Sequence, residues 1–215
     1  MKIISTNIAK PRTIIWNEKE VQTGIYKNPV STPLFLGKTG IPGDTVMDKR
    51  FHGGALKAVY IYGKNRYPFW QKKYPNLDWQ HGFLGENLTF DVFDESIIKI
   101  GDIFQIGNAK VQITQPRKPC YKLGIRFNTQ QALKDFINEP YPGGYLQVLE
   151  EGEVNVDDEV ILLDSNPNQM SLADVYYLIY HKNGDQKMAE KALELDIFPE
   201  TCKKNIRRNY FPESK

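Results

Sequence analysis

Residues 111–126 read VQITQPRKPCYKLGIR, and the rest of the chain is organised around this stretch. It opens as a strand, because apolar Val111 and Ile113 alternate with polar residues over a run too short for a helix. Pro116 and Pro119 then stop both strand pairing and helix formation. The sequence therefore predicts a strand that leads into an irregular, stiffened segment.

The irregular segment covers residues 115–120 and carries Cys120 close to Arg117 and Lys118. Nearby positive charge favours the thiolate over the thiol, and the thiolate is the form that attacks electrophiles or binds soft metals. A reactive site would be built in this way. On local sequence alone, a buried structural cysteine in a surface turn explains the same residues equally well.

Composition restricts the class of protein. The chain has 215 residues, enough for one domain or for one domain with a small appendage. With 28 basic and 26 acidic residues the charge is nearly balanced, so nothing indicates a nucleic-acid polymer or a membrane surface as partner. Two distant cysteines, no signal-peptide pattern and no run of membrane-spanning length predict a cytoplasmic protein with reduced thiols.

The first half of the chain is predicted to consist mainly of short strands. Alternation or apolar runs predict strands over residues 2–8, 12–21 and 58–62. Residues 65–74 predict a short helix whose aromatic stripe packs in the core. Between these elements, His52 precedes two glycines that would let the backbone approach a ligand, although a tight turn explains them as well.

Residues 81–90, HGFLGENLTF, interleave glycines with the polar residues Glu86, Asn87 and Thr89. This pattern indicates either polar groups presented from a loop or a capped turn. Further on, Gly107-Asn108 suits the tight turn of a hairpin over residues 97–113. The residues IGD at 100–102 precede a predicted strand, and VDD at 156–158 precede another over residues 159–163. This recurrence of a turn followed by a strand predicts a β-barrel.

After residue 164 the pattern becomes helical. Ser171 and Asp185 are predicted to cap two helices, and Pro199 begins a third. The sequence thus predicts a β-barrel domain over residues 1–164 and a small α-helical domain over residues 165–215. The basic residues of the last helix would face solvent or an acidic partner; they are Lys203, Lys204, Arg207 and Arg208.

Several kinds of site are not indicated. Three histidines and two cysteines are scattered, without the short spacings of a structural zinc site. The chain has no GxSxG elbow, no phosphate-binding GxxxxGK[ST] and no dinucleotide-binding GxGxxG. A hydrolase that uses Cys120 with His52 or His81 as base stays open.

Taken together, several short motifs resemble the MOSC domain family and, within it, the YiiM-like proteins that carry a three-helix C-terminal domain. The motifs are RFHGG at 50–54, AVYIY at 58–62, FW at 69–70, GENLT at 85–89, IGD at 100–102 and QPRKPC at 115–120. The resemblance implies an α+β, mainly β fold with a MOSC-type β-barrel core and a small C-terminal α-helical domain.

The resemblance also implies a molybdenum cofactor (molybdopterin), with Cys120 as catalytic residue and metal ligand. A soft thiolate suits this metal, and the anionic pterin phosphate needs cations or amide donors. The implied cofactor-binding residues are Arg117, Lys57, His52, Asn87, Thr89 and Gln115.

By the same resemblance the protein is a reductase of N-hydroxylated compounds, including hydroxylaminopurine-type bases, and forms the amine. Electrons would come from a separate flavin-containing reductase, because no flavin, nicotinamide or iron–sulfur motif is recognisable in the chain. A sulfur-transfer or cofactor-carrier protein that uses Cys120 is the alternative, and a binding module with an inert Cys120 is a third reading. A homodimer is left open.

Overall fold

The computed structural model of the protein describes residues 1–47, 53–165, 167 and 169–212. His52 and the first half of the RFHGG motif lie outside these residues. The described part of the chain contains twelve strands: β1 Ile3–Ile8, β2 Arg12–Trp16, β3 Lys19–Thr23, β4 Asn28–Val30, β5 Leu34–Leu36, β6 Val59–Gly63, β7 Leu88–Phe90, β8 Ile103–Ile106, β9 Ala109–Pro116, β10 Gly144–Glu150, β11 Gly152–Val154 and β12 Val160–Asp164.

The same residues form six α-helices and two short 3-10 turns. The helices are α1 Tyr67–Lys73, α2 Tyr121–Arg126, α3 Gln131–Asn138, α4 Leu172–Tyr180, α5 Gln186–Glu194 and α6 Glu200–Tyr210. The 3-10 turns are Ala55–Lys57 and Lys64–Arg66. The fold is therefore α+β and mainly β, as the sequence predicts. No helix of the described residues is long and apolar enough to cross a membrane.

The predicted closed barrel is wrong. Eight strands form one open sheet in the order β12-β8-β9-β10-β6-β7-β1-β4. The beginning of β1 approaches the segment before β12 through a single bridge between Lys2 and Glu159 and through Ile3 N, which donates to Asp158 O at 3.0 Å. At the opposite edge, β4 is three residues long and contains Pro29, which has no N–H to donate to another strand. The sheet therefore curves so that β1 approaches the segment before β12, but the edge strands β12 and β4 do not pair with each other.

Local turns explain where the predicted strands differ from the observed ones. The strand predicted over residues 12–21 is a two-stranded hairpin, β2 and β3, whose turn residues Asn17 and Glu18 have φ of 48° and 62°. Asn or Asp followed by glycine is the usual sign of such a turn, and Asn-Glu lacks the glycine. The hairpin turn predicted at Gly107-Asn108 is confirmed, between β8 and β9, although β8 begins only at Ile103.

The caps predicted for the C-terminal helices are confirmed. Ser171 Oγ accepts a hydrogen bond from Asp174 N at 3.0 Å, and Asp185 Oδ1 accepts one from Lys187 N at 2.7 Å. The buried faces of these helices belong to the same hydrophobic cluster as strands β9 and β10. The division into a unit over residues 1–164 and a unit over 165–215 stays a prediction.

A second, aromatic cluster lies on the other side of β6 from the first cluster. Trp70 is fully buried and stacks on Phe136, with ring centroids 5.6 Å apart. Its indole Nε1 donates to the Tyr62 hydroxyl at 2.7 Å. The aromatic stripe of α1 is therefore core packing, as predicted, and it holds β6 in place.

Candidate functional site

A cleft lies where the cysteine segment meets the end of β3 and the start of β6. Its described walls carry several cations and one thiol. The lining residues are Thr23, Gly24, Ile25, Lys27, Thr45, Val46, Met47, Lys57, Ala58, Tyr60, Gly85, Asn87, Arg117, Cys120, Lys122 and Tyr145. Four of the residues predicted for a cofactor site are thus brought together: Cys120, Arg117, Lys57 and Asn87.

Cys120 reaches the cleft because strand pairing ends just before it. Pro116 still pairs with Gly144 in the sheet, since a proline lacks only the N–H, so the irregular segment begins at Arg117 and not at Gln115 as predicted. Helix α2 starts directly after Cys120, whose carbonyl accepts a hydrogen bond from Leu123 N at 2.8 Å. The thiol is half-buried and remains accessible from the cleft.

Arg117 brings a positive charge to the wall of the cleft although it is only 6% exposed. Its guanidinium lies 4.8 Å from the centre of the Tyr60 ring, and Nη1 donates to the carbonyl of Leu84. Within the described part of the chain, no carboxylate forms an ion pair with it. An anion in the cleft would therefore meet an uncompensated charge.

Lys27 also lines the cleft, but its charge is compensated. Its ammonium forms a buried ion pair with Asp44. Burial lowers the pKa of Lys27, while Asp44 opposes this effect. The same carboxylate accepts a hydrogen bond from Asn87 Nδ2 at 2.9 Å, and Asn87 Oδ1 accepts one from Tyr60 N at 3.2 Å. Asn87 thus joins the wall segments, and its amide is already engaged by protein groups.

Lys57 enters the cleft from the 3-10 turn that precedes β6. Burial lowers the pKa of Lys57. Its ammonium lies 5.8 Å from the centre of the Tyr145 ring, and Tyr145 lines the cleft beside it. Burial raises the pKa of Tyr145, and the nearby Arg117 opposes that shift, so the phenol is a neutral hydrogen-bonding group at neutral pH.

Glu86 and Thr89 lie behind the wall and do not line the cleft. Both are completely buried. Glu86 Oε1 accepts hydrogen bonds from the Tyr67 hydroxyl, from Gly82 N at 2.8 Å and from Thr89 Oγ1 at 3.0 Å. Among the described residues its other oxygen has no hydrogen-bond partner, and burial raises the pKa of Glu86. The structure therefore does not bring Thr89, a predicted cofactor ligand, to the same surface as Cys120.

Gln115 is also buried, at 1% exposed, and does not line the cleft. Its Nε2 donates to Leu56 O at 3.4 Å, and its Oε1 accepts from the Cys202 thiol at 3.6 Å. Burial raises the pKa of Cys202, so this thiol stays protonated and can donate. Gln115 thus links helix α6 to the turn that carries Lys57.

Of the two histidines considered as bases, His81 is described and does not line the cleft of Cys120. His81 lines a different surface cleft, with Tyr67 and Trp79. Burial lowers the pKa of His81. His52 lies outside the described residues, so its predicted role in cofactor binding or as a base stays a prediction.

Gly85 explains why the GENLT motif belongs at the site. Its φ is +85°, a backbone conformation that favours glycine. A Cβ there would lie 3.3 Å from Ile25 Cγ1 and 3.8 Å from Arg117 Nη2. A side chain at this position would be strained by the backbone and crowded against Ile25, so the position favours glycine.

Sequence reasoning missed Lys27, Lys122, Tyr60 and Tyr145 as parts of the site. Lys122 is two residues from Cys120, and this short separation in sequence could have indicated that Lys122 belongs to the site. Tyr145 carries no local signal, because it reaches the site only through the register of β10, which places it opposite Gln115. Lys27 likewise depends on long-range topology.

Comparison with known proteins identifies relatives over most of the chain. The model of the MOSC domain family matches residues 48–161. The chain is 33% identical to the uncharacterized protein YflK of Bacillus subtilis (strain 168), over 89% of this chain and 86% of that protein. It is 30% identical to Protein YiiM of Escherichia coli (strain K12), over 80% of this chain and 77% of that protein.

Two further similarities concern a redox enzyme and a crystal structure. A protein of Gibberella moniliformis named Reductase is 31% identical over 87% of this chain, which spans 34% of that longer protein. The crystal structure of YiiM from Geobacillus stearothermophilus superposes with a TM-score of 0.80 at 26% identity, over 97% of this chain and 98% of that one.

Proposed function

The chain belongs to the MOSC domain family and is YiiM-like, and on this premise we propose that it is a molybdenum-cofactor-dependent reductase. Its substrates would be N-hydroxylated compounds of the hydroxylaminopurine type, which it converts to amines. One observation carries the proposal: an accessible thiol, Cys120, and an uncompensated cation, Arg117, line the same cleft.

The residues present fit the cofactor. A thiolate is a soft ligand of the kind that molybdenum accepts, and a guanidinium suits a phosphate. Gly85, whose positive φ favours glycine, lines the same cleft. When bound, the cofactor would supply a metal that exchanges two electrons with the substrate.

The chain's own residues would bind and orient the cofactor. Cys120 would hold the metal as thiolate. Arg117 and Lys57 would hold the anionic part of the cofactor, together with His52 of the RFHGG motif. Asn87 would support cofactor binding by stabilising the wall of the cleft, because its amide already bonds to Asp44 and to Tyr60 N of β6. Thr89 and Gln115 would support the wall from behind, since both are buried away from the cleft.

The net reaction takes up two electrons and two protons, replaces the N–O bond by an N–H bond and releases water. We propose that a separate flavin-containing reductase in the cytoplasm delivers the electrons. The relative named Reductase is consistent with redox chemistry of this class. The reaction would remove toxic N-hydroxylated bases.

The test uses protein purified from a host that makes the cofactor. The purified protein is mixed with reduced methyl viologen and an N-hydroxylated purine, and the amine product is quantified by chromatography. We expect turnover by the wild type and none by Cys120→Ser. Bound molybdenum without turnover would replace the reductase proposal by the carrier alternative. Absence of molybdenum would contradict both.

A further inference from the structure

The cysteine segment is held from two sides by parts of the chain outside residues 48–161. On one side lies the hairpin of β2 and β3, which forms its own two-stranded sheet in the described residues. On the other side lies α6, the last helix. Each makes two contacts with residues within five positions of Cys120.

The hairpin contacts the residues that follow Cys120. The indole of Trp16 stacks on the Tyr121 ring, with centroids 5.4 Å apart and an angle of 30° between the planes. Lys122 Nζ donates to the carbonyl of Gln22 at 2.9 Å. Thr23, at the end of the hairpin, lines the cleft. The hairpin therefore both fixes the start of α2 and forms one wall of the site.

Helix α6 contacts the residues that precede Cys120. Lys118 Nζ donates to the carbonyl of Thr201 at 3.2 Å. The thiol of Cys202 is completely buried and donates to Gln115 Oε1. Without that donor the amide oxygen of Gln115 would be left in an apolar surrounding, which costs free energy. The helix therefore fixes the end of β9.

We propose that the β2–β3 hairpin and helix α6 act as a clamp that sets the position of Cys120, with Trp16 and Cys202 as positioning residues. Residues 117–119 between the two sides belong to no helix or strand, so the thiol is positioned by the contacts of the neighbouring residues together with those of Arg117 to Leu84 O and Tyr60. A group that binds a metal must be held within a fraction of an ångström by its surroundings. The inference deepens the proposed function, on which its relevance to cofactor binding rests.

Alkylation of Cys120 tests the clamp without cofactor or substrate. Cofactor-free protein reacts with iodoacetamide over a range of pH, and mass spectrometry of peptides follows Cys120. Buried Cys202 is the internal reference in the Trp16 and Ile15 variants, and a cysteine-containing peptide added to each reaction is the reference for the Cys202 variants. An aromatic pair of this kind favours the arrangement in which the hairpin contacts Tyr121 and Cys120 is half-buried by about two- to twelvefold. We therefore expect Trp16→Ala to speed alkylation of Cys120 by a factor in that range.

The chain offers matched controls for each side. Trp16→Phe keeps a ring for stacking and should restore most of the wild-type rate. Ile15→Ala removes a neighbouring apolar side chain that is 65% exposed, and should leave the rate unchanged. Cys202→Ala should speed alkylation, whereas Cys202→Ser keeps a donor for Gln115 and should not. Should Trp16→Ala fail to fold, Trp16→Leu replaces it, because leucine fills space without stacking.

The clamp is overturned if folded Trp16→Ala or Cys202→Ala reacts at the wild-type rate. It is also overturned if Ile15→Ala speeds the reaction as much as Trp16→Ala, because the effect would then come from general loosening of the hairpin. Thermal melting checks the fold of each variant. Molybdenum content is measured separately, so a protein that binds no metal but shows the predicted alkylation pattern would contradict the proposed function alone.

Discussion

Arg117→Ala removes the one cleft guanidinium that, among the described residues, has no carboxylate partner. Arg117 is only 6% exposed, so a hydrogen bond from it to an anion in the cleft is largely shielded from water. A charge-assisted hydrogen bond contributes about 1.5–3 kcal/mol. Loss of one such bond corresponds to roughly tenfold to 150-fold weaker cofactor retention.

Two neighbouring variants separate charge from geometry. Lys118→Ala also removes a cation, but the Lys118 ammonium is bonded to Thr201 O and does not line the cleft. It should therefore lose less cofactor than Arg117→Ala. Arg117→Lys keeps the charge without the planar fork, and should lie between wild type and alanine.

The assay measures pterin per protein after gel filtration, from the fluorescence of the oxidised pterin released by denaturation. The guanidinium also lies over Tyr60, a contact worth about 0.5–2 kcal/mol, so thermal melting must show that each variant is folded. Equal pterin retention by folded Arg117→Ala and Lys118→Ala would refute the reasoning.

Two predictions concern stability. Burial raises the pKa of Glu95 to about 7 from an ordinary value of 4.5, so the folded protein holds a proton that the unfolded chain has released, and stability falls as pH rises between these values. Between about pH 5 and about pH 8, Glu95 should cost the wild type about 2–3 kcal/mol of unfolding free energy. In urea denaturation, Glu95→Gln should show a loss that is smaller by this amount. An unchanged pH dependence in the variant would contradict the prediction. Gly143→Ala should destabilise more than Gly43→Ala, by at least about 1 kcal/mol, because both have positive φ but only at Gly143 would a Cβ collide with the Ile61 carbonyl. Equal denaturation midpoints would show that the collision is relieved at no cost.

Local signals in the sequence predicted those parts of the fold that local chemistry determines. Ser171 and Asp185 satisfy helix N–H groups within three residues of themselves, so their positions alone indicate the caps. The turn at Gly107 is equally local. The open sheet is not, because closure depends on whether distant edge strands meet, and Pro29 acts at an edge that no local pattern identifies.

For the site as well, local sequence indicates some residues, whereas the roles of others depend on distant parts of the chain. Proximity in sequence placed two cations, Arg117 and Lys118, beside Cys120, and only Arg117 of the two lines the same cleft. The roles of Asn87 and Thr89 depend on partners far along the chain: Asp44 engages the amide, and Asn7 Nδ2 donates to Thr89 Oγ1 at 3.1 Å. A polar residue in a motif can therefore serve the wall of a site without touching its ligand, and only the tertiary contacts distinguish the two uses.

Molybdenum content tests the central claim most directly. Wild type and Cys120→Ser are purified in parallel from a host that makes the cofactor and from one that does not, and metal is measured by mass spectrometry. We expect stoichiometric molybdenum only in the wild type from the first host, because a hydroxyl is a poor substitute for a soft thiolate. Equal molybdenum in folded Cys120→Ser and wild type, or none in either, would contradict Cys120 as the metal ligand.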